Sequence, residues 1–301
     1  MLKFRLFTLP LIAFVTAAIS APKGPWLLDI NANVTLPQNA YSESWIGSEK
    51  GALSWASKLD AVAERQFASW FNHRNTLKLA FGQTRTQNDD NSWGDFAKST
   101  DLIDFESLQR FTMSKQIEPF IALRIISQFS DERDSTTTHY INPTDIFESF
   151  GVARSLVTSD AIKWNARLGG AVHQSIDRYF FDPATNERTA KTVNDAGAEL
   201  VTEVKATMRD GLLDYSGLLT VFEALVSSDD EKDVADATPL WRYPDINWEN
   251  ILSVNITKYV MINLTVQLLY DREKHVNARI KEVLAAGLTY KFNNAKKEEK
   301  K

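Results

Sequence analysis

The 301-residue chain has no cysteine. That excludes disulfides, thiolate metal sites and cysteine nucleophiles, so an exported chain of this kind must be held by its fold alone. It has no surplus of positive charge either. Thirty-four Lys+Arg face 39 Asp+Glu, a net charge of −5, and nucleic acid is therefore not an expected partner. Long apolar runs are missing after the first twenty residues. No later stretch reaches the roughly 18 consecutive apolar residues of a spanning helix, and mean hydropathy is −0.28. Phosphate-loop, dinucleotide and zinc motifs are absent as well, so no cofactor or metal is expected.

The first segment present is a secretory signal. Lys3 and Arg5 form a short basic region, residues 6–19 are mostly apolar, and Ala18-Ile19-Ser20 offers small residues for cleavage. Cleavage after Ser20 is expected. It removes two cations and makes the chain more acidic by two.

The rest of the chain alternates with a period of two, the signature of strands. The cleanest stretch is Ile246 to Phe292. Val260, Ile262, Leu264, Val266, Leu268 and Tyr270 take every second position, with Asn263, Thr265 and Gln267 between them. The final run places Leu284, Ala286, Leu288, Tyr290 and Phe292 on one face. Similar runs recur from Trp26 to Leu36, Gly51 to Ala63, His73 to Thr84, Lys98 to Gln109 and Ile117 to Gln128. Others follow at Glu148 to Val157, Ile162 to Ile176, Lys191 to Arg209 and Leu212 to Val226.

Together they make about twelve strands, most of them about ten residues or longer, the length a tilted strand needs to cross a bilayer. A secreted β-sandwich also alternates, but its strands are usually about 5–6 residues long. The expected fold is all-β, a transmembrane antiparallel up-and-down β-barrel over residues 21–292. Residues 1–20 are the signal peptide and residues 293–301 a charged periplasmic tail.

The connections alternate too. Residues 37–50, 85–97, 129–147, 177–190 and 227–244 are long and polar, while residues 64–72, 110–116, 158–161 and the Asp210-Gly211 hairpin turn are short. Long extracellular loops alternating with short periplasmic turns place both termini in the periplasm. The segment Ile246 to Phe292 is then the closing edge, expected to pair with Trp26 to Leu36.

Several pieces carry a family likeness: Trp70-Phe71-Asn72, Leu77 to Gly82, Lys98 to Asp101, Ser127 to Phe129, Trp248 to Leu252, Lys258-Tyr259 and Lys281 to Phe292. Through them, residues from about Gly51 to Phe292 resemble a domain-of-unknown-function family of Gram-negative outer-membrane barrel proteins. The resemblance implies a barrel in the bacterial outer membrane, and no established chemistry comes with it. Outer-membrane lipid and lipopolysaccharide are the implied surroundings. The last strand resembles the sorting signal of barrel proteins, which implies the barrel-assembly machinery as a partner during biogenesis.

Three sets of residues are candidates for function. The first is the inward-facing charges Lys58, Asp60, Lys78, Glu118, Arg124, Lys163, Arg167, Glu199, Glu203 and Lys205. They either line a narrow aqueous channel or pair across the lumen and plug it. The second is His173 with Ser175, which resembles the His-x-Ser element of outer-membrane phospholipase A. A serine nucleophile needs a base and a group to orient that base, and the sequence assigns no such orienting residue. The alternative is a polar pair lining the lumen.

The third set is the acidic loop clusters at Asp89 to Asp95 and Asp229 to Asp236, which lack the ligand spacing of a calcium loop. The leading expectation is a non-enzymatic barrel, either a small-solute channel or a scaffold. A membrane-embedded lipid hydrolase using Ser175 and His173, and a surface protein that docks partners through its long loops, are the alternatives.

Overall fold

The computed structural model describes residues 24–36, 38–39, 51–90, 92–113, 117–134, 136–182, 185–229 and 238–294. The signal segment, most of residues 37–50, the acidic run 230–237 and the tail from residue 295 lie outside the described residues. Among those described, twelve long strands form one antiparallel sheet. They are β1 (Leu27–Thr35), β2 (Ala52–Ala68), β3 (Phe71–Thr86), β4 (Ala97–Phe111), β5 (Glu118–Ser127) and β6 (Thr144–Thr158). The second half contains β7 (Ile162–Asp182), β8 (Glu187–Met208), β9 (Leu213–Ser227), β10 (Asp245–Asn255), β11 (Val260–Tyr270) and β12 (Arg279–Asn293).

Each strand pairs with the next in sequence, and β1 pairs on both sides, so the sheet closes. Against β2 the register runs from Leu27 opposite Glu64 to Thr35 opposite Ala56. Against β12 it runs from Asp29 opposite Asn293 to Thr35 opposite Gly287. Closure leaves no unpaired edge, which a hydrocarbon environment requires.

Alternation sorts the two faces. On β12, Ile280, Leu284, Leu288 and Tyr290 point outward and are exposed, whereas Ala285 and Thr289 point inward and are buried. Phe150, Val152, Leu168, Ile121 and Val266 extend the exposed apolar surface around the wall. A band of this size in water would strongly favour association, and around a closed barrel it is a lipid-facing surface. Trp70, Trp164 and Tyr259 stand exposed at one rim, at or beside strand ends. Trp26 joins Phe67 and His73 there, edge-on at 5.8 and 6.1 Å. Such aromatic side chains suit the water–lipid boundary. The chain is thus a transmembrane barrel whose buried groups are mostly the contents of its lumen.

One pair of glycines shapes the wall. Gly151 and Gly169 are directly opposed on β6 and β7. A Cβ on Gly169 would collide with the Phe150 carbonyl, and one on Gly151 with that of Leu168. The backbones approach so closely only because neither residue has a side chain.

The pattern-based boundaries need correction in four places. Residues 64–72 are not a connection: β2 runs to Ala68 and β3 starts at Phe71. Glu64, Gln66 and Asn72 face the lumen, where Asn72 Nδ2 donates to Glu64 at 2.9 Å and to Gln66 at 3.0 Å. Residues 177–190 are mostly strand, since β7 reaches Asp182 and β8 begins at Glu187. A hairpin that extends beyond the bilayer is wet on both faces and loses its alternation. Strand β6 begins at Thr144 rather than Glu148. The β8–β9 turn is a 3₁₀ turn, Arg209–Gly211, with positive φ at Arg209, Asp210 and Gly211 (51°, 55° and 88°), and not a two-residue hairpin.

Candidate functional site

The lumen is built by the inward positions of the strands. Because β3 and β8 are five strands apart in the ring, an ion pair between them crosses the interior rather than following the wall. Arg74 on β3 reaches Glu203 on β8 in a two-pronged contact of 3.1 and 3.4 Å. Lys78 on β3 reaches Glu249 on β10 at 3.4 Å. Arg167 on β7 pairs with Glu106 on β4. Neighbouring strands add Arg124 with Asp104, bidentate at 2.7 and 2.9 Å. Nearer the short-turn end, Arg110 joins Glu64 at 3.0 Å and Glu118 at 3.5 Å. Bidentate guanidinium–carboxylate pairs fix geometry as well as charge.

All of these groups except Glu64 and Glu118 border a cavity of about 420 Å³ within the lumen. Of the ten inward charges read from the sequence, Lys58, Asp60, Lys78, Arg124, Arg167, Glu203 and Lys205 line it. Glu199 is buried. Glu118 serves the Arg110 pair at one end. Lys163 stands beside Lys205 in register but is exposed at the rim. Sequence reasoning missed Arg74, Glu106, Asp104, Arg110 and Glu249 as members of this network. Their parity carried the signal: Arg74, Thr76 and Lys78 share one face of β3, and Asp104 and Glu106 alternate with Ile103 and Phe105.

His173 and Ser175 face inward as expected. The imidazole lies flat on Phe147, with centroids 4.2 Å apart and planes 5° apart, and meets the edge of Phe222. Its Nε2 is 3.1 Å from Asp145 Oδ1 and its Nδ1 is 3.5 Å from Asp195 Oδ2. Register explains this: Asp195 is opposite His173 on β8, and Asp145 is opposite Ser175 on β6. The structure therefore supplies the acidic partners that sequence could not assign. The arrangement is a histidine clamped between two carboxylates. Both ring nitrogens face carboxylates, so Asp145 and Asp195, and not Ser175, are the groups the imidazole is set against.

The long connection after β5 is folded into a cap. Ser130–Asp131 pairs with His139–Tyr140 in a two-stranded ribbon. Arg133 bridges Asp131 (2.7 Å) and Asp177 (2.9 Å), and the fully buried Asn142 donates to both carboxylates at 2.9 Å. The Arg133 side chain foremost, then the Asn142 amide and the Arg133 backbone N–H, hold the Asp131 carboxyl well below the usual carboxylate range. His139 stacks on Tyr179, centroids 3.5 Å apart. Asp101 on β4 accepts from the backbone N–H of Phe129 (2.7 Å) and Ser130 (3.0 Å), tying the cap to a second strand.

The acidic loop clusters are incomplete in the described residues. Asp90 accepts from Ser92 (backbone N–H, 3.0 Å), and Asp229 pairs with Lys191 at 2.9 Å. Among the described residues, no three His, Asp or Glu side chains come together in a way that would hold a metal ion.

Comparison with known proteins follows this geometry. Residues 36–132 match the family described as "Protein of unknown function (DUF3078)". The match contains Trp70 to Asn72, Leu77 to Gly82, Lys98 to Asp101 and Ser127 to Phe129, four of the pieces that carried the family likeness. The pieces from Trp248 onward lie beyond it. A search of curated proteins finds no match.

Among solved structures, the COG4313 outer membrane channel from Pseudomonas putida F1 is similar at 13% identity and a TM-score of 0.44, over 92% of this chain and 98% of that one. The translocator domain of the autotransporter NalP from Neisseria meningitidis is similar at 9% identity and TM-score 0.37, over 91% of each chain. A FadL homologue from Pseudomonas aeruginosa is similar at 10% identity and TM-score 0.36, over 89% of this chain and 82% of that one.

Proposed function

We propose that this chain is an outer-membrane barrel that passes small polar solutes through a lumen narrowed by ion pairs. The observation that carries the reading is the cavity of about 420 Å³, lined by charged and amide side chains and bordered by pairs that cross from β3 to β8 and β10. A purely structural plug would gain more from apolar filling, because paired charges in a closed interior lose most of their attraction to desolvation. In a wet lumen the same pairs set width and selectivity.

The short-turn rim, the β1 start and the β12 end then face the periplasm, and the cap after β5 faces the exterior. The apolar band sits in lipid, with lipopolysaccharide on the outer side. The final strand β12 is the segment presented to the barrel-assembly machinery.

Planar-bilayer recording on the refolded chain tests the reading. Discrete conductance steps are expected, smaller than those of an open porin. A protein that folds, shifts on a gel after boiling and carries no current would refute it. A second reading has one specific support. The cap is pinned to β4 and β7 by Asp101, Arg133 and Asn142, so it presents a fixed surface on which an external partner could dock. Lipid hydrolysis has no comparable support, since the His173 ring is engaged on both sides.

A further inference from the structure

The ion pairs are distributed unevenly around the lumen. Most occupy β3 to β10; on the wall made by β11, β12, β1 and β2, Glu64 pairs with Arg110 and Lys291 with Asp214, while other polar groups lack such partners. Lys58 and Asp60 lie on one face of β2, both line the cavity, and neither makes a hydrogen bond or an ion pair among the described residues. Two residues apart on a strand, their Cα atoms are about 7 Å from each other.

Across the β1–β2 register, Asn33 is directly opposite Lys58 and Asn31 directly opposite Asp60. Asn33 is buried and its Oδ1 has no hydrogen-bond partner; the Oδ1 of Asn263 on β11 has none either. Both residues border the same cavity. Between them in register β12 contributes the small residues Ala285, Gly287 and Thr289 to the inner face, with Lys281 and Lys291 further along it.

We infer that this wall is a binding subsite for small zwitterionic solutes of the amino-acid type. The inference deepens the proposed channel reading by naming the solute class. A free anion attracted to Lys58 would also meet the Asp60 carboxylate, and a free cation drawn to Asp60 would meet the Lys58 ammonium. A solute with both charges satisfies both groups at once: its carboxylate on the Lys58 ammonium, its ammonium on Asp60. The Asn33 carbonyl, which lacks a donor, stands opposite Lys58 and borders the same cavity. The flexible Lys58 stem closes the gap to a solute shorter than the spacing of the two side chains. Lys78, directly opposite Asp60 in the β2–β3 register, is itself held by Glu249 across the lumen at 3.4 Å.

The test separates binding from passage. Three probes of similar size are compared at neutral pH: glycine (zwitterion), glycolate (anion) and ethanolammonium (cation). Binding is read from line broadening of each ¹³C-labelled probe on adding the refolded full chain in detergent. Glycine is expected to broaden most. Lys58→Gln and Asp60→Asn should each weaken glycine binding about tenfold, the effect of losing one charged hydrogen bond. Lys58→Gln should leave ethanolammonium the better of the two single-charge probes, and Asp60→Asn should leave glycolate the better.

Equal broadening by all three probes in the wild-type protein overturns the inference, and this comparison needs no variant to fold. Unchanged glycine binding in both variants, each shown to fold by its gel shift, overturns it as well. Swelling of proteoliposomes in isosmotic glycine reads passage. Binding without swelling keeps the subsite and refutes the channel. Swelling with no preference in binding refutes the subsite and keeps the channel.

Discussion

Consider the variant Glu203→Gln. It removes the charge that meets Arg74 across the lumen and also meets Lys205 at 3.0 Å. Two unit charges 3.1 Å apart, at an effective dielectric of about 20, attract by roughly 5 kcal/mol. Most of that is offset by the cost of desolvating both groups. The side chains keep 17% and 23% of their exposure, so neither the attraction nor the desolvation reaches its buried limit. A coupling of about 1–3 kcal/mol is the expected remainder.

The assay is a double-mutant cycle of Arg74→Gln, Glu203→Gln and the double variant, followed by tryptophan fluorescence during urea unfolding from lipid vesicles. Glu203→Gln strips the carboxylate from both Arg74 and Lys205, whereas Arg74→Gln leaves Glu203 with Lys205, so Glu203→Gln should be the costlier single variant. The double variant should also carry more current, since the pair no longer spans the lumen. Strictly additive stabilities, together with an unchanged conductance, would show that Arg74 and Glu203 neither couple nor obstruct the path.

Other outcomes follow from the same geometry. Leu168→Arg places a charge on an outward position that is 57% exposed; at mid-bilayer it should cost about 2–4 kcal/mol in vesicle unfolding, and a neutral result would argue against a lipid-facing wall. Asp131 has a depressed carboxyl pKa, so its contribution to the cap is present above the ordinary carboxylate value of about 4 and is lost as pH falls toward the lower folded value. Hydrogen-exchange protection of the ribbon should therefore drop in acid for the wild-type protein, and Asp131→Asn should be weak at every pH. Gly169→Val would drive a side chain into the Phe150 carbonyl and should leave little heat-modifiable folded protein. Ser175→Ala should leave phospholipid turnover at the background of the parent; a measurable loss would revive the hydrolase reading.

Residue order alone determined the strands, their number and which face each side chain takes. Those features depend on a period of two and on the contrast between lipid and lumen, both of which are local. The closing partnership of β12 with β1 was legible as well, because a barrel must join its last strand to its first. Boundaries were less legible. Glu64, Gln66 and Asn72 look like a loop by polarity, yet polarity on an inward position is also what a wet lumen demands.

The tertiary structure alone decided what the inward charges meet. Arg74 and Glu203 are 129 residues apart, and nothing in either neighbourhood names the other. Barrel curvature brings β3 and β8 face to face. The clamp on His173 arises in the same way, from the registers that set Asp195 opposite it and Asp145 opposite Ser175. The alternating pattern says that a charge points inward; only the closed ring says whether another charge is waiting across the lumen, as Glu203 is for Arg74 and Glu249 for Lys78.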